Sequence, residues 1–426
     1  MTSVGGDFIM GKRTTCRITG KPLVPLFSLG DIYVSDFLSD GEEPDSASKI
    51  ELALAIEPES GLVQLTNTAN FDAMYKHYWY NSGTNESMVK ELTDIVDSIC
   101  EVKALYDTSR WLDIGCNDGT LISKTPVNIY TIGVDPALNQ RAMYHKAKKV
   151  LNEIHEDYFK ANLLDGPVDV ITSIAMFYDL EDPTNFCQDI HAVLSDDGLW
   201  VLQLSYLPLM IEQMAFDNIC HEHLEYYTLI TINNLLSNNG FKIVDAQIND
   251  TNGGSVRVYA QKVDAPETSF GSAPFRDVAN MRVNSLLCFE ETGRFRDPDY
   301  YKEFFNNIEK EKRRTVEFIK QAKAAGKTVW GYGASTKGNT LLQYYGLDHT
   351  MIDAIADRQP SKFGLRTVGT NIPICSEDEM RQANPDYMLM LPWHFVNSFI
   401  NREKEYLDGG GAFIVPCPKF EVISCG

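Results

Sequence analysis

The chain has 426 residues, about three times the ~150 residues typical of one domain, so two or three domains with proper cores are expected. Hydrophobic residues make up 44% and charged residues 23%, an ordinary globular balance that argues against long disorder. With 38 Lys and Arg against 59 Asp and Glu the net charge is −21, which repels phosphate backbones and argues against nucleic acid or an anionic membrane as the main partner.

The first stretch, Met1 to Lys12, lacks an apolar run long enough for a signal peptide, and no run of about 18 apolar residues follows. Nine cysteines stand singly, with no C-x-x-C pair. Scattered thiols of this kind predict a reduced, cytoplasmic chain. Residues 13–70 read as short strands and turns, a small β-rich module. Residues 71–265 form a second unit. Met88, Leu92, Ile95, Val96 and Ile99 repeat at helical spacing. Strands are expected at Trp111–Ile114, Tyr130–Val134, Val168–Ser173 and Gly198–Leu204, alternating with helices, which implies an α/β fold with a parallel sheet covered on both faces. Phe241–Ala246 and Ser255–Gln261 lie too close for a crossover helix and predict an antiparallel hairpin at the sheet edge. Residues 266–426 are a third unit. It has a proline-punctuated mixed stretch to about 300, a long helix from Tyr300 to Ala325, and a smaller Rossmann-like α/β domain. Strands there are expected at Thr328–Tyr332, Met351–Ala356, Tyr387–Leu391 and Ala412–Val415.

Three segments carry candidate chemistry. The first is Asp113-Ile114-Gly115-Cys116-Asn117-Asp118-Gly119-Thr120, between a strand and a helix. Glycines let a ligand approach the backbone there. The spacing is G-x-x-x-G, not the G-x-G-x-x-G of a dinucleotide site. Asp113 and Asp118 would repel a pyrophosphate and suit an ammonium group, such as the methionine part of S-adenosylmethionine. Asp135, ending the next strand, is placed to accept from both ribose hydroxyls, and Asp157 is a weaker candidate near adenine. A plain structural turn is the competing reading. Upstream, Tyr75, Tyr78, Trp79 and Tyr80, followed by Asn81-Ser82-Gly83-Thr84, form either a packed helix entry or a lid over the cofactor, with Tyr78 and Ser82 as its contacts.

The second segment is His221-Glu222-His223 with Glu225, Tyr226 and Tyr227. H-E-H is not the H-E-x-x-H spacing of a zinc hydrolase, so no metal is expected. An imidazole near a carboxylate suits a general base, although a polar helix start with a core histidine would look similar. The third is Gly331-Tyr332-Gly333-Ala334-Ser335-Thr336-Lys337-Gly338-Asn339-Thr340. It does not match a P-loop. Its amides with Lys337, and Lys362 and Arg366 downstream, could still hold a diphosphate. Tyr332, Lys337, Asn339 and Arg366 are therefore the expected substrate contacts, and a structural turn is the alternative.

Together with Gly133-Val134-Asp135-Pro136, Gly253-Gly254-Ser255-Val256-Arg257-Val258-Tyr259 and Leu391-Pro392-Trp393-His394-Phe395, these segments run in the order found in a known family. Over nearly its whole length the chain resembles the sugar C-methyltransferases, which add a methyl group to C3 of a nucleotide-linked 4-keto-deoxysugar. The resemblance implies an N-terminal zinc-binding module, a central class I methyltransferase domain using S-adenosylmethionine, and a C-terminal Rossmann-like domain that helps hold the sugar nucleotide. It implies His223 as general base, with Glu222 beside it. The family's first cysteine pair reads here Cys16-Arg17-Ile18-Thr19 and the second Glu57-Pro58-Glu59-Ser60. With one thiol of four, zinc is not expected. Cys220 replaces a common Tyr before His-Glu-His. Tyr178 stands where some members carry a His, which makes it a candidate active-site residue. Two other functions compete: an NAD-dependent sugar-nucleotide oxidoreductase or epimerase, and a non-catalytic scaffold. The first lacks its glycine turn and a Tyr-x-x-x-Lys pair. Retention of Asp113, Asp135 and His223 counts against the second. No sequence feature sets an oligomeric state.

Overall fold

A computed structural model describes residues 9–70, 74 and 81–424. Its centre is a seven-stranded sheet: β1 Arg110–Ile114, β2 Tyr130–Val134, β3 Glu153–His155, β4 Val168–Ile174, β5 Leu194–Ser205, β6 Phe241–Asn249 and β7 Ser255–Lys262. The spatial order is β6-β7-β5-β4-β1-β2-β3, with β7 antiparallel to its neighbours and the other pairs parallel. The expected hairpin of β6 and β7 is present, but β7 inserts between β5 and β6, so of the two hairpin strands β6 alone lies at an edge of the sheet.

The strands are nearly continuous apolar runs because both sheet faces are covered. Leu112, Ile132, Ile171, Trp200 and Leu202 pack on one face. Trp111, Val170, Leu199 and Val201 pack on the other, with Leu92, Ile95, Val96 and Ile99 of the helix Glu86–Val102. That helix starts where Asn85 accepts a hydrogen bond from the Ser87 amide, a side-chain cap for an otherwise unpaired N–H.

The N-terminal strands Val24–Tyr33, Lys49–Glu57 and Leu62–Leu65 form an antiparallel sheet. Its fourth strand is Glu225–Tyr226, contributed by the segment that follows His223, with Glu225 opposite Gln64 and Tyr226 opposite Val63. The small module therefore grips the candidate base segment through backbone pairing.

The C-terminal sheet runs, in spatial order, Ile374–Ser376, Ile355–Asp357, Val329–Tyr332, Tyr387–Met390, Ala412–Val415 and Glu421–Ser424, parallel except for the last strand. The strand expected at Met351–Ala356 begins only at Ile355. The mixed stretch before 300 contains a 20-residue helix, Ala273–Thr292. Pro274 lies in its first turn, where the missing N–H costs nothing, so this proline starts a helix instead of breaking one. The helix Pro298–Ala324 joins the N-terminal sheet and the C-terminal domain in one core, with Phe27 stacked on Phe305 at 4.9 Å. No described helix is long and apolar enough to cross a membrane.

Candidate active site

The carboxyl ends of β1, β2 and β4 meet at the point where strand order reverses, the usual ligand crevice of an open α/β sheet. Gly115 leaves β1 with φ +73°, and a Cβ there would lie 3.2 Å from Met176. Asn117 and Gly119 also take left-handed backbone, at φ 50° and 78°. The turn gives its Asn117 amide to Asp135, whose carboxylate accepts from Asn117 N at 2.8 Å and from Ala137 N, after β2, at 2.7 Å. Carboxylate oxygens have further lone pairs for ribose hydroxyls. Asp113 is 3% exposed and accepts from Thr172 Oγ1 at 2.6 Å. Burial raises its carboxyl to about 7, Thr172 opposes this, and Asp135 adds to it. A buried acid so placed gains from a cationic partner. The turn, the diol-accepting acid and the cation-seeking acid together fit S-adenosylmethionine.

Asp118 does other work. It accepts from Gly83 N at 3.2 Å and Thr120 Oγ1 at 2.5 Å and pairs with Lys146 Nζ at 3.5 Å. Ser82 N donates to Asn117 Oδ1 at 3.1 Å. The Ser82–Thr84 segment is thus clamped over the turn. Tyr78, with Tyr75, Trp79 and Tyr80, lies outside the described residues. Asp157 caps its own loop through the Tyr158 amide.

His223 lies beyond β5. Its Nδ1 is 2.8 Å from the Asn218 carbonyl oxygen. A carbonyl only accepts, so Nδ1 carries the proton and Nε2 keeps the lone pair. The Tyr178 ring lies 4.4 Å from the imidazole, tilted by 60°. Tyr178 follows Ala175, held at φ 54° where β4 ends, a strained backbone of the kind that aims residues in active sites. Burial, then the Lys337 charge, push His223 down to about 3, against the Asn218 bond, so the imidazole rests neutral. Glu222 is raised to about 7 by burial, and its Oε2 has no hydrogen-bond partner among the described residues. His221 is structural: its Nε2 lies 3.0 Å from Ile50 O in the N-terminal sheet.

Two family models match the chain: "Methyltransferase domain" over residues 84–246 and "C-methyltransferase C-terminal domain" over residues 250–418. The C-methyltransferase NovU of Streptomyces niveus is 28% identical over 418 residues, covering 96% of each chain. The chain is similar to C-methyltransferases over both matched regions. It is a methyltransferase enzyme, and S-adenosylmethionine is its methyl donor. The oxidoreductase and scaffold readings are thereby set aside. Similar solved structures include the 1,6-didemethyltoxoflavin-N1-methyltransferase of Burkholderia thailandensis with S-adenosylhomocysteine (15% identity, 43% of this chain and 81% of that one, TM-score 0.33). Another is the magnesium protoporphyrin IX methyltransferase of Synechocystis (16% identity, 41% and 82%, TM-score 0.32).

The four expected substrate contacts of this methyltransferase do not sit together. Tyr332 donates to Glu403 at 2.7 Å and Glu377 at 3.0 Å and meets Arg402, an ion-pair network inside the C-terminal domain. Asn339 Nδ2 donates to Ser35 Oγ at 2.9 Å and Asp36 O at 3.2 Å. Arg366 donates to Ser39 O at 3.1 Å and Glu42 O at 2.8 Å and meets Asn371. Both hold the N-terminal module in place. Lys362 is spent on Ala334 O at 2.7 Å. Only Lys337 reaches the central domain, with Nζ 3.3 Å from Asn252 O. Around that contact stand Trp393, His394 and Asp217, with Trp393 Nε1 donating to Asp217 Oδ2 at 3.1 Å. Asp217 and His394 were not singled out from sequence. Their signal was adjacency: Asp217 lies four residues before the His-Glu-His segment, and His394 lies inside a family motif.

Proposed function

We propose that the enzyme methylates a carbon next to the ketone of a nucleotide-linked 4-ketosugar in the cytoplasm. The observation that supports this most is the His223 tautomer: a neutral imidazole with Nδ1 committed to Asn218 O and Nε2 open as a base. A carbon adjacent to a ketone is acidic enough for such a base once it is held in place, and O- or N-methylation would need no carbon base at all.

In this reading the bare backbone of the Gly115–Gly119 turn lets the donor approach closely, Asp135 holds its ribose, and Asp113 pairs with its ammonium group. Bound S-adenosylmethionine supplies an activated methyl group on a sulfonium. His223 Nε2 removes the proton from the sugar carbon, and Tyr178 keeps the imidazole in its plane. Glu222, free at Oε2, is placed to receive a sugar hydroxyl. Orientation and exclusion of water account for the remaining rate.

The test is a panel of nucleoside-diphosphate 4-ketosugars incubated with S-adenosylmethionine and read by mass spectrometry. One member is expected to gain a single methyl group on carbon. Methyl transfer confined to oxygen or nitrogen, or no transfer with any 4-ketosugar, would refute the reading.

A further inference from the structure

Lys337 lies in the first turn of the helix Thr336–Tyr345, whose cap Ser335 accepts from Gly338 N at 3.0 Å. Its ammonium has three donors and makes one long hydrogen bond, to Asn252 O, and no ion pair among the described residues. Asn252 belongs to the loop between β6 and β7. Since Ser255 pairs with Ser205 at the end of β5, this loop lies at the carboxyl edge of the central sheet, the edge that carries Gly115, Asp135 and Tyr178. A Cβ on Gly253 would stand 3.9 Å from both His394 and Trp393. Trp393 bonds Asp217, and its neighbour Asn218 holds His223. A continuous chain of contacts therefore joins the Lys337 ammonium to the base, across the seam between two domains.

Resting on the proposed ketosugar reaction, we propose that Lys337 donates to the substrate's ketone oxygen and stabilises the charge that gathers there when His223 takes the neighbouring proton. The C–H bond breaks, its proton goes to His223 Nε2, and its electron pair forms a carbon–carbon double bond while the carbonyl pair moves to oxygen. That pair returns as the carbon bonds to the methyl group and the methyl–sulfur bond breaks toward sulfur. His223 then releases its proton to water. A preorganised cation at the developing oxyanion lowers the barrier more than one aimed at a charge already present in the ground state.

A diphosphate role for Lys337 fits less well. Lys362 and Arg366, the two cations expected beside it, are engaged elsewhere. The nearby Asp217 carboxyl, 1% exposed and unpaired at Oδ1, would repel a phosphate. Lys337 also biases His223 toward its neutral form, the state a base needs.

The test uses the full-length enzyme in deuterium oxide with S-adenosylhomocysteine and the panel 4-ketosugar that the wild type methylates. Proton exchange next to the ketone reports deprotonation alone. Lys337→Met is expected to lower both exchange and methyl transfer about 10²-fold or more, with sugar-nucleotide affinity within threefold of wild type. Lys337→Arg, which keeps the charge and guards against misfolding of the Met variant, is expected to retain most of the exchange. Exchange at wild-type rate in Lys337→Met with affinity lost instead, or equal losses in both variants, would overturn the proposal. Absence of methylation by the wild type itself would count against the ketosugar reading.

Discussion

His223 Nδ1 donates to the carbonyl of Asn218, five residues earlier, at 2.8 Å, so the lone pair of this imidazole is fixed on Nε2. His223→Ala is expected to reduce methyl transfer about 10²–10⁴-fold and leave calorimetric affinity for S-adenosylhomocysteine unchanged. Because burial holds the group at about 3, the imidazole stays neutral as pH falls from 7 toward 4. The acid limb of kcat/KM assigned to His223 should therefore be missing near the ordinary histidine value. An inflection near 6.5 that vanishes in a His223 variant would contradict this placement.

Asp113 is expected to make cofactor binding pH-dependent. Its carboxyl, raised to about 7 by burial, is partly protonated at neutral pH and must ionise to meet an ammonium group. Binding of S-adenosylmethionine should release protons below pH 7 and tighten as pH rises through 7. Asp113→Asn should weaken binding about 10–100-fold, the scale of a lost charge-assisted hydrogen bond, and flatten the pH dependence. Calorimetry in buffers of different ionisation enthalpy measures both. Proton release that persists unchanged in Asp113→Asn would assign the titration to another group.

His221 is 2% exposed and held at about 4 by burial, against its bond to Ile50 O. Its folded value lies below the unfolded one, so between about pH 6.5 and 4 the unfolded chain binds more protons and stability falls as pH falls. At pH 5 the loss from this group approaches about 2 kcal/mol. His221→Gln cannot titrate. Urea unfolding should show the stability gap between the two proteins narrowing from pH 7 to pH 5. Parallel pH curves would rule the effect out.

The central sheet was legible because its signals are local: apolar strands such as Trp111–Ile114, a glycine turn, and an acid at the end of the next strand. Helix Ala273–Thr292 was hidden by a weak apolar face and by Pro274, which looks like a breaker until its place in the first turn is known. His223 was readable as titratable chemistry in a dense segment. Its partner Asn218, the pairing of Glu225–Tyr226 with the N-terminal module, and the seat of Lys337 on the loop after β6 depend on contacts between distant parts of the chain. Residue spacing carries no trace of those. The same limit sent Tyr332, Asn339 and Arg366 to one imagined phosphate site, although each closes a different structural contact.

The N-terminal module offers the sharpest test of long-range convergence. Cys16, Thr19, Glu57 and Ser60 stand where the resemblance implies four zinc thiolates. They meet in the structure through other bonds. Cys16 Sγ is 3.8 Å from Ser60 Oγ, Thr19 Oγ1 is 3.4 Å from Glu57 Oε2, and Glu57 accepts the Ser60 and Glu59 amides at 2.9 Å. The donor set, one thiol with two hydroxyls and a carboxylate, does not suit zinc, which prefers thiolate and imidazole in a closed structural site. Hydrogen bonds link the four positions. The hydroxyl–thiol spacing is nevertheless close to that of neighbouring ligands around a tetrahedral ion. Thr19→Cys, Glu57→Cys and Ser60→Cys combined are expected to give a protein that holds one equivalent of zinc through gel filtration, with its melting temperature lowered by a chelator. Glu57→Ala alone should cost about 1–3 kcal/mol, since the Ser60 and Glu59 amides lose their acceptor. Failure of the folded triple variant to bind zinc would show that the four positions do not converge as described.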